Sequence, residues 1–315
     1  MSTDLRFDQI RLPAECEALR GEVRAFIAKE VAAGTFDPAA VGHGEGQSPE
    51  FSRKVGGKGW IGMSEPGSGS DLFAAKTKAT KTNGGWLVNG TKIWTSNAHN
   101  ADYLIALFRT SPPTKENRRH GLTQFLVDMK TPGIRINPIY QMSGQHDFNE
   151  VVFEDAFMPD DHVLGEIDGA WKQATSELAY ERSGPERFLE TLYVLIELVR
   201  VLGPNPDLRG AEGIGRLVAQ LHTLRRMSVS VAGMLQAGKE PVVEGSIVKD
   251  LGTIWEQKLP NRVRELSAFV EPETTNRVTL EEQLAFATTI APKLTLQGGT
   301  TEVLRGIIAR GLGLR

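Results

Sequence analysis

The chain has 315 residues and a formal net charge of −3, with 36 lysines and arginines against 39 aspartates and glutamates. That length can bury a core for two or more folding units, and its mixed charges and short apolar runs exclude a nucleic-acid partner, a membrane surface and a membrane span. The single cysteine excludes an internal disulfide and fits a reducing cytoplasm, while six scattered histidines predict no metal site.

The N-terminal part predicts one amphipathic helix from about Pro13 to Ala33. Its apolar side chains recur at helical spacing, at Leu19, Val23, Phe26, Ile27 and Val31. A polar, glycine-rich loop follows, and residues 49–57 predict a short second helix. We therefore assign residues 1–62 to an N-terminal helical segment.

Residues 63–165 predict a compact antiparallel β domain or barrel, because their apolar runs are short, alternating and separated by turn residues. The strand pattern is carried by residues 86–88, 103–108, 123–127 and 151–153. Two turn signals, Asn83-Gly84-Gly85 and Asn89-Gly90, predict hairpins between strands.

Residues 166–315 predict a helical bundle. Trp171–Arg182 would form one helix, and Leu189–Leu202 is apolar nearly all round, which is typical of a buried helix. Residues 217–235 repeat leucine, methionine and valine on one face of the next helix. The predicted fold class is α+β, with N-terminal helices, a central antiparallel β domain and a C-terminal helical bundle.

Two segments of the β region suit a flat, hydrogen-bonding heteroaromatic cofactor. The loop Met63-Ser64-Glu65-Pro66-Gly67-Ser68-Gly69-Ser70-Asp71 offers backbone N–H groups and hydroxyls for the edge of such a ring. The segment Lys92-Ile93-Trp94-Thr95-Ser96-Asn97 offers an indole for its face. Taken alone, each segment also fits an ordinary turn or a core strand. Their order, their spacing and a third segment at the C-terminus favour the cofactor.

The third segment is the run Gly298-Gly299-Thr300-Thr301-Glu302-Val303-Leu304-Arg305. The three segments together resemble those of the acyl-CoA dehydrogenase family, and the resemblance covers nearly all of residues 63–315. It implies that family's fold, FAD as the cofactor, an acyl-CoA substrate and an electron-transfer flavoprotein as the electron acceptor. The apolar surface of the predicted bundle further indicates a homo- or hetero-oligomer.

The resemblance also implies a role for each matching residue. The cofactor-binding residues would be Met63, Ser64, Ser70, Trp94, Thr95, Ser96, Gly299, Thr300 and Glu302. Ser96 would lie near flavin N5, and the substrate-binding residues would be Ser70, Tyr180 and Arg182. The backbone N–H of Gly298 would polarise the thioester carbonyl.

Many family members carry their catalytic base where this chain has Gly298, which has no side chain to accept a proton. A minority, resembling isovaleryl-CoA dehydrogenase, carry it in a Glu-Arg pair, which matches Glu181-Arg182. We therefore expect Glu181 to be the base. By spacing alone, Glu181 would be a solvated helix residue paired with Arg182 or Arg187. Glu186, beyond the next proline, is a competing candidate.

The chain also departs from the family pattern elsewhere. Residues 200–216 lack an Arg-x-x-Phe-Gly pattern and the region of Phe269 lacks a Gly-Gly-x-Gly turn, which weakens the expected inter-subunit clamp on the cofactor. Residues 58–62 and 63–66 abut, so the N-terminal domain looks shortened by about sixty residues. The acyl pocket would then be open, closed by a partner, or completed by residues that this sequence lacks.

Three functions are compatible with these observations. The first is an FAD-dependent acyl-CoA dehydrogenase, in which Glu181 removes the α-proton and flavin N5 takes the hydride from the β-carbon, giving a 2-enoyl-CoA. The second is a non-catalytic or half-site partner subunit of a hetero-oligomeric dehydrogenase, which the departures favour. The third is a flavin oxidase or monooxygenase on the same fold. The sequence does not predict the acyl chain length or class.

Overall fold

The computed structural model describes residues 5–35, 60–142, 144–170, 173, 181–268, 270 and 275–314. They divide into two compact units: the β unit, within residues 60–173, and the helical unit, within residues 5–35 and 181–314. The helix predicted at residues 49–57, and most of the one predicted at residues 171–182, lie outside the described residues. The domain boundaries at residues 62 and 165 stay a prediction.

Eight strands are described in the β unit: β1 (Trp60–Gly62), β2 (Lys78–Thr82), β3 (Gly85–Ser96), β4 (Tyr103–Arg109), β5 (Leu122–Asp128), β6 (Ile134–Ile139), β7 (Phe148–Pro159) and β8 (Val163–Leu164). They form one sheet in the order β6-β7-β3-β2-β4-β5-β8, with β1 beside β4. Neighbouring strands are antiparallel except β1 with β4 and β2 with β4, which are parallel. The predicted β domain is present, with two parallel pairings inside it.

The core of the β unit is a cluster of aromatic and aliphatic side chains on one face of these strands. Phe125 meets the Trp86 ring edge-on, with ring centres 5.8 Å apart. Phe108 meets both Phe125 and Phe153, with ring centres 5.5 and 5.1 Å away. Such tilted and edge-on contacts are the arrangements that aromatic rings prefer. They pack side chains of β3 and β7 against side chains of β4 and β5.

Of the two predicted hairpin turns, one is right and one is wrong. Asn83-Gly84 joins β2 to β3, and Gly84 has a φ of +75°, as a tight hairpin turn requires. Asn89-Gly90 instead lies inside β3, where the register against β7 shifts. The side chain of Asn89 bonds the backbone N–H and the carboxylate of Asp155 on β7, at 3.0 and 2.8 Å. That pairing holds the chain in a bulge rather than a turn.

Seven α-helices are described in the helical unit: α1 (Ala14–Ala32), α2 (Glu186–Leu189), α3 (Leu192–Leu202), α4 (Leu208–Gln236), α5 (Val242–Ser267), α6 (Thr275–Ile290) and α7 (Thr301–Gly311). Residues 181–183 add one helical turn before α2, and Ala291–Thr295 forms a 3-10 turn after α6. The repeat predicted along α4 is confirmed, because Leu217, Leu224 and Val231 are buried in the bundle core.

The buried helix predicted over residues 189–202 is wrong in two respects. It breaks between Leu189 and Leu192, so that α2 and α3 are separate helices. Helix α3 buries Leu198 but exposes Ile196 and Val199. Packing against neighbours on one side leaves the opposite face of a helix in solvent, whatever its composition.

Helix α1 forms where the spacing predicts it, but its apolar residues Leu19, Val23, Ile27 and Val31 are exposed. Among the described helices, none is long and apolar enough to cross a membrane. The described residues also contain no group of three or more histidine, cysteine, aspartate or glutamate side chains that could hold a metal ion.

Candidate active site

The loop at residues 63–70 is a tight turn tied to strand β3. Glu65 and Ser68 exchange backbone hydrogen bonds of 2.9 and 3.0 Å around Pro66-Gly67, two residues that favour such a turn. The half-buried Ser64 accepts a hydrogen bond of 2.9 Å at its carbonyl from the N–H of Ile93 on β3. The two segments singled out in the sequence therefore lie side by side.

Trp94 stands in a bulge of β3. The register against β7 gains one residue between Lys92 and Thr95, and Trp94 has a φ of +58°, which is unfavourable for a bulky residue. The indole is 55% exposed and meets the ring of Phe148 edge-on, with ring centres 6.0 Å apart. Bulges re-aim side chains next to binding sites. Here the bulge presents a flat indole on which a ligand ring can stack.

Thr95, next in the chain, is buried, and its hydroxyl oxygen has no hydrogen-bond partner among the described residues. A buried hydroxyl without a partner is costly, and in native structures it marks a place where another group supplies the bond. Ser96 follows and is half-buried. An exposed indole beside an unsatisfied hydroxyl fits the heteroaromatic ring and polar edge of FAD.

A buried ion pair between the two segments was missed by the sequence analysis. Lys92 donates to Glu65 at 2.8 Å, and Glu65 also accepts from the backbone N–H groups of Lys76 and Thr77, at 2.6 and 3.0 Å. Burial alone would raise the pKa of Glu65, but these donors hold it below its usual value, whereas burial lowers the pKa of Lys92. The available signal was the opposite charge of the two segments: the first carries Glu65 and Asp71, and the second begins with its single cation, Lys92.

In the helical unit, Glu181 lies beside Gly298. A Cβ atom built at Gly298 would stand 3.5 Å from Glu181 Oε1, and Gly298 has a φ of +66°. The neighbouring Arg182 donates from Nε to the carbonyl of Gly298, at 2.9 Å. Burial lowers the pKa of Arg182. The structure thus brings Gly298 to two predicted site residues, Glu181 and Arg182, that lie more than a hundred positions earlier in the sequence.

Arg187 holds this group together. It is buried, and its Nη2 donates to Glu181 Oε1 at 2.6 Å while its Nε donates to the Glu181 carbonyl at 3.0 Å. Its Nη1 donates to the side chain of Gln297 at 3.4 Å. The alternative pairing of Glu181 with Arg187 is therefore present, and no hydrogen bond from the described residues reaches Glu181 Oε2. The competing candidate, Glu186, is more exposed and reaches Arg187 only at 4.0 Å.

The residues after Gly298 form the start of helix α7. Gly299 has a φ of +112°, and a Cβ atom there would stand 3.4 Å from Arg182 Nη2, so glycine suits this position. Thr300 caps the helix by accepting a hydrogen bond from the N–H of Val303, at 3.4 Å. The first turn carries Glu302, whose pKa is lowered by its own backbone N–H and by the Thr300 hydroxyl.

The structure describes all but one of the predicted site residues. Tyr180 lies outside the described residues. In the β unit, Met63 is half-buried and packs against the small cluster that contains Leu107, and Ser70 is exposed. The remaining residues lie as given above in the β unit (Ser64, Trp94, Thr95, Ser96) or the helical unit (Glu181, Arg182, Gly298, Gly299, Thr300, Glu302).

Helix α5 places buried polar side chains behind Arg187. Lys249 donates to the carbonyl of Leu294 at 2.7 Å and to the hydroxyl of Thr253 at 3.0 Å. Burial, together with the charge of Arg187, lowers the pKa of Lys249 to about 8. Gly252 lies so close to this region that a Cβ atom there would stand 2.5 Å from the Arg187 carbonyl oxygen.

One turn further along α5, Glu256 is buried and accepts a hydrogen bond from the backbone N–H of Thr191, at 3.2 Å. Burial and the nearby charge of Glu190 raise the pKa of Glu256 to about 7. The sequence analysis missed both Lys249 and Glu256. Their spacing of seven residues places two charged groups on one face of a helix, which was the only local signal.

Comparison with known proteins identifies the family. Residues 61–156 match the family model of the acyl-CoA dehydrogenase middle domain. The chain is 36% identical over 257 residues to acyl-CoA dehydrogenase FadE34 of Mycobacterium tuberculosis, covering 80% of this chain and 34% of that protein. It is 33% identical over 260 residues to acyl-CoA dehydrogenase IpdE1 of the same organism, covering 80% and 66%. The chain belongs to the acyl-CoA dehydrogenase family.

A solved structure of this family, the Tcur3481-Tcur3483 steroid ACAD, superimposes with a TM-score of 0.70 at 25% identity, covering 90% of this chain and 76% of that one. The fold expected of an acyl-CoA dehydrogenase, a β domain with a helical bundle, is thereby confirmed. The chain spans about a third of FadE34 and 66% of IpdE1.

Proposed function

We propose that this chain is an FAD-dependent acyl-CoA dehydrogenase and that Glu181 is its catalytic base. The proposal rests on the 3.5 Å between Glu181 Oε1 and the Cβ position of Gly298. Relatives with a base in the C-terminal loop would project a carboxylate from that position. In this chain, a carboxylate from the helical turn at residues 181–183 fills the same neighbourhood.

The chain's own residues would carry out the proton transfer. Glu181 would take the α-proton of the acyl thioester at Oε2, since Oε1 is engaged by Arg187. A carboxylate can remove this weakly acidic proton only when the thioester carbonyl is polarised by fixed donors. We assign that role to the N–H of Gly298, in a loop held by the bond from Arg182 to the Gly298 carbonyl.

FAD would be held by residues that already present suitable groups. In the β unit, Trp94 would lie on the face of its ring, with Ser64, Thr95 and Ser96 at the polar edge and Met63 and Ser70 near them. In the helical unit, Gly299, Thr300 and Glu302 are proposed as cofactor-binding residues on the resemblance to the family alone. Bound FAD supplies the acceptor for the hydride that leaves the β-carbon.

A cation-rich surface follows Ser70 and suits the phosphates of an acyl-CoA. One cavity of about 430 Å³ is lined by Phe73, Glu116, Asn117, Arg118 and Arg119. A second, of about 420 Å³, shares Phe73 and is lined by Lys76, Lys78 and Arg109 among others. In a chain whose net charge is −3, five cationic side chains around one aromatic ring are a local excess that would attract a polyanionic substrate.

A half-site subunit is the second candidate. Two contacts favour it, because each engages a group that the dehydrogenase would need: Arg187 forms an ion pair with the proposed base Glu181, and the Thr300 hydroxyl caps a helix. A solved relative carries a name that joins Tcur3481 with Tcur3483 and is called a steroid ACAD. By analogy, this chain would complete its cofactor site with a partner chain and act on a bulky acyl group.

The first experiment is an absorption spectrum of the purified chain with FAD, recorded without oxygen before and after each acyl-CoA thioester of a panel is added. Flavin bands that bleach, with a 2-enoyl-CoA detected by mass spectrometry, would support the dehydrogenase. FAD retained only after a partner chain is added would favour the half-site subunit. Flavin bands that no acyl-CoA bleaches would contradict the proposal, and rapid recovery of bleached bands in air would indicate an oxidase.

A further inference from the structure

Three side chains that have no role in the proposed reaction meet behind Trp94. Asn149 lies on β7 directly opposite Thr95 and is fully buried. Its Nδ2 donates to the Thr95 carbonyl at 3.1 Å and lies 3.1 Å from His99 Nδ1, while its Oδ1 lies 2.8 Å from His146 Nε2. The rings of His99 and His146 stack with their centres 3.9 Å apart and their planes 19° from parallel. We call these three residues the Asn149 clamp.

The chemistry of the partners assigns the protons in this clamp. A backbone carbonyl can only accept, so the Asn149 amide must turn its NH2 group towards Thr95. The same NH2 group then donates to His99 Nδ1, which must be unprotonated, and His146 Nε2 must donate to Oδ1. His99 is therefore neutral, with its proton on Nε2. The Asn100 amide, which lies 2.9 Å from Nε2, must then turn its oxygen towards that proton, so that every partner of the ring is matched.

We propose that the Asn149 clamp is the positioning unit of the Trp94–Thr95 bulge and thereby sets the face on which the ring of FAD stacks. The identity of the cofactor in this inference rests on the proposed function, whereas the geometry of the clamp and the bulge does not. Trp94 has a positive φ, which persists only where the surroundings hold it. The register shift removes regular pairing at the bulge, and the Asn149 side chain supplies a bond to the backbone just beyond it.

The clamp also makes the bulge sensitive to the charge of His99. A proton on Nδ1 would face the NH2 group of Asn149, so that two donors would meet. Turning the amide would instead bring its oxygen against the Thr95 carbonyl oxygen, so that two acceptors would meet. The groups facing His99 are the stacked His146, Asp147, Asn149 and its own neighbour Asn100. Burial and His146 lower the pKa of His99, and this lowering outweighs the opposite effects of the contact with Asn149 and of the charge of Asp147. The clamp is therefore intact at neutral pH and is released as the pH falls through that lowered pKa.

Imidazole NMR of the 15N-labelled chain, without FAD, tests the geometry directly. We expect His99 to be neutral at pH 7 with its proton on Nε2. In Asn149→Asp, a carboxylate that can accept from Nδ1 should move the proton to Nδ1 and shift the titration of His99 upwards by at least about one pH unit. A proton on Nδ1 of His99 in the unaltered chain, or the same titration in both proteins, would overturn the proposal.

Binding of FAD tests the consequence. Asn149→Leu should move the indole NMR signal of Trp94 and weaken FAD binding about tenfold, as the loss of a buried hydrogen bond would. The matched control is Asn137→Leu, which removes a 2.7 Å side-chain bond to Glu150 between β6 and β7 without touching β3. The control should leave the Trp94 signal and FAD binding unchanged.

Equal effects of the two substitutions, or unchanged binding in Asn149→Leu, would contradict the positioning role. FAD binding by the unaltered chain should also weaken as the pH falls from 7 through the titration of His99 that NMR records, whereas Asn149→Leu should lose this pH dependence. An unaltered chain that binds no FAD would contradict the proposed function instead. The imidazole and indole signals would then still decide whether the clamp holds the bulge.

Discussion

Lys92 Nζ lies 2.8 Å from Glu65 Oε1, and neither side chain has appreciable contact with solvent. The ammonium also lies 5.7 Å from the ring centre of Phe108, inside the core of the β unit. This ion pair joins the glycine-rich loop to strand β3, so the two segments that carry the proposed cofactor residues are held together by their own charges.

The first prediction concerns this pair. Lys92→Met should lower the free energy of unfolding by about 3–5 kcal/mol, because it leaves Glu65 buried without its cation. Lys81→Met is the control, since the Lys81–Asp160 pair is half-exposed and should contribute less than about 1 kcal/mol. Urea unfolding of both proteins at pH 7 measures the difference. Similar losses in the two variants would mean that the buried pair does not stabilise the β unit.

The second prediction tests the base. Glu181→Gln should reduce the rate at which acyl-CoA bleaches the flavin by at least about a hundredfold, because the amide cannot accept the α-proton. FAD binding should not change. Glu186→Gln is the matched control on the other side of Pro185 and should bleach at the unaltered rate. Stopped-flow absorbance measures both, and unimpaired bleaching in Glu181→Gln would assign the base elsewhere.

The third prediction concerns the close approach of α5 to Arg187. Gly252→Ala would place a Cβ atom 2.5 Å from the Arg187 carbonyl oxygen, so the backbone must shift. We expect a loss of about 1–3 kcal/mol in stability and slower bleaching, since Arg187 orients Glu181. Gly215→Ala on α4 meets no atom within 4 Å and should gain up to about 1 kcal/mol. Thermal unfolding compares the two, and a stabilised Gly252→Ala protein would show that the approach is not tight.

The fourth prediction is a pH dependence of stability from Glu256. Its pKa in the folded chain is about 7, above the ordinary value of 4.5, so the folded state favours the protonated form. Its contribution to stability is therefore full below pH 4.5 and is lost as the pH rises to about 7.

Glu256→Gln removes this loss, because glutamine stays neutral and can still accept the bond from Thr191. The variant should be more stable than the unaltered chain by about 1–3 kcal/mol at pH 8, and by less than about 1 kcal/mol at pH 5. Glu265→Gln, an exposed position on the same helix, should show no such change with pH. Urea unfolding at the two pH values measures the effect. An equal difference in stability between Glu256→Gln and the unaltered chain at both values would show that the ionisation of Glu256 does not cause the pH dependence.

Much of the fold followed from patterns that act over a few residues. The 3.6-residue repeat predicted α1 and α4, the run at residues 86–88 predicted part of β3, and Asn83-Gly84 predicted the hairpin turn before it. These signals succeed because helix periodicity and turn geometry depend on neighbours in the chain. The same rules failed at Asn89-Gly90, where a cross-strand bond to Asp155 decides the conformation, and at Leu189–Leu202, where packing on one side decides burial.

The candidate site divides in the same way. The sequence by itself determined which loops carry the glycines, hydroxyls, indole and carboxylate, and its motifs identified the family. Only the tertiary structure decided which of these groups meet: Glu181 with Gly298, Lys92 with Glu65, and Asn149 with Thr95. Each of these contacts joins residues tens to more than a hundred positions apart. Their geometry depends on strand register, on one bulge and on the burial of charge, which arise only when the whole chain packs and which neighbouring residues in the sequence do not fix.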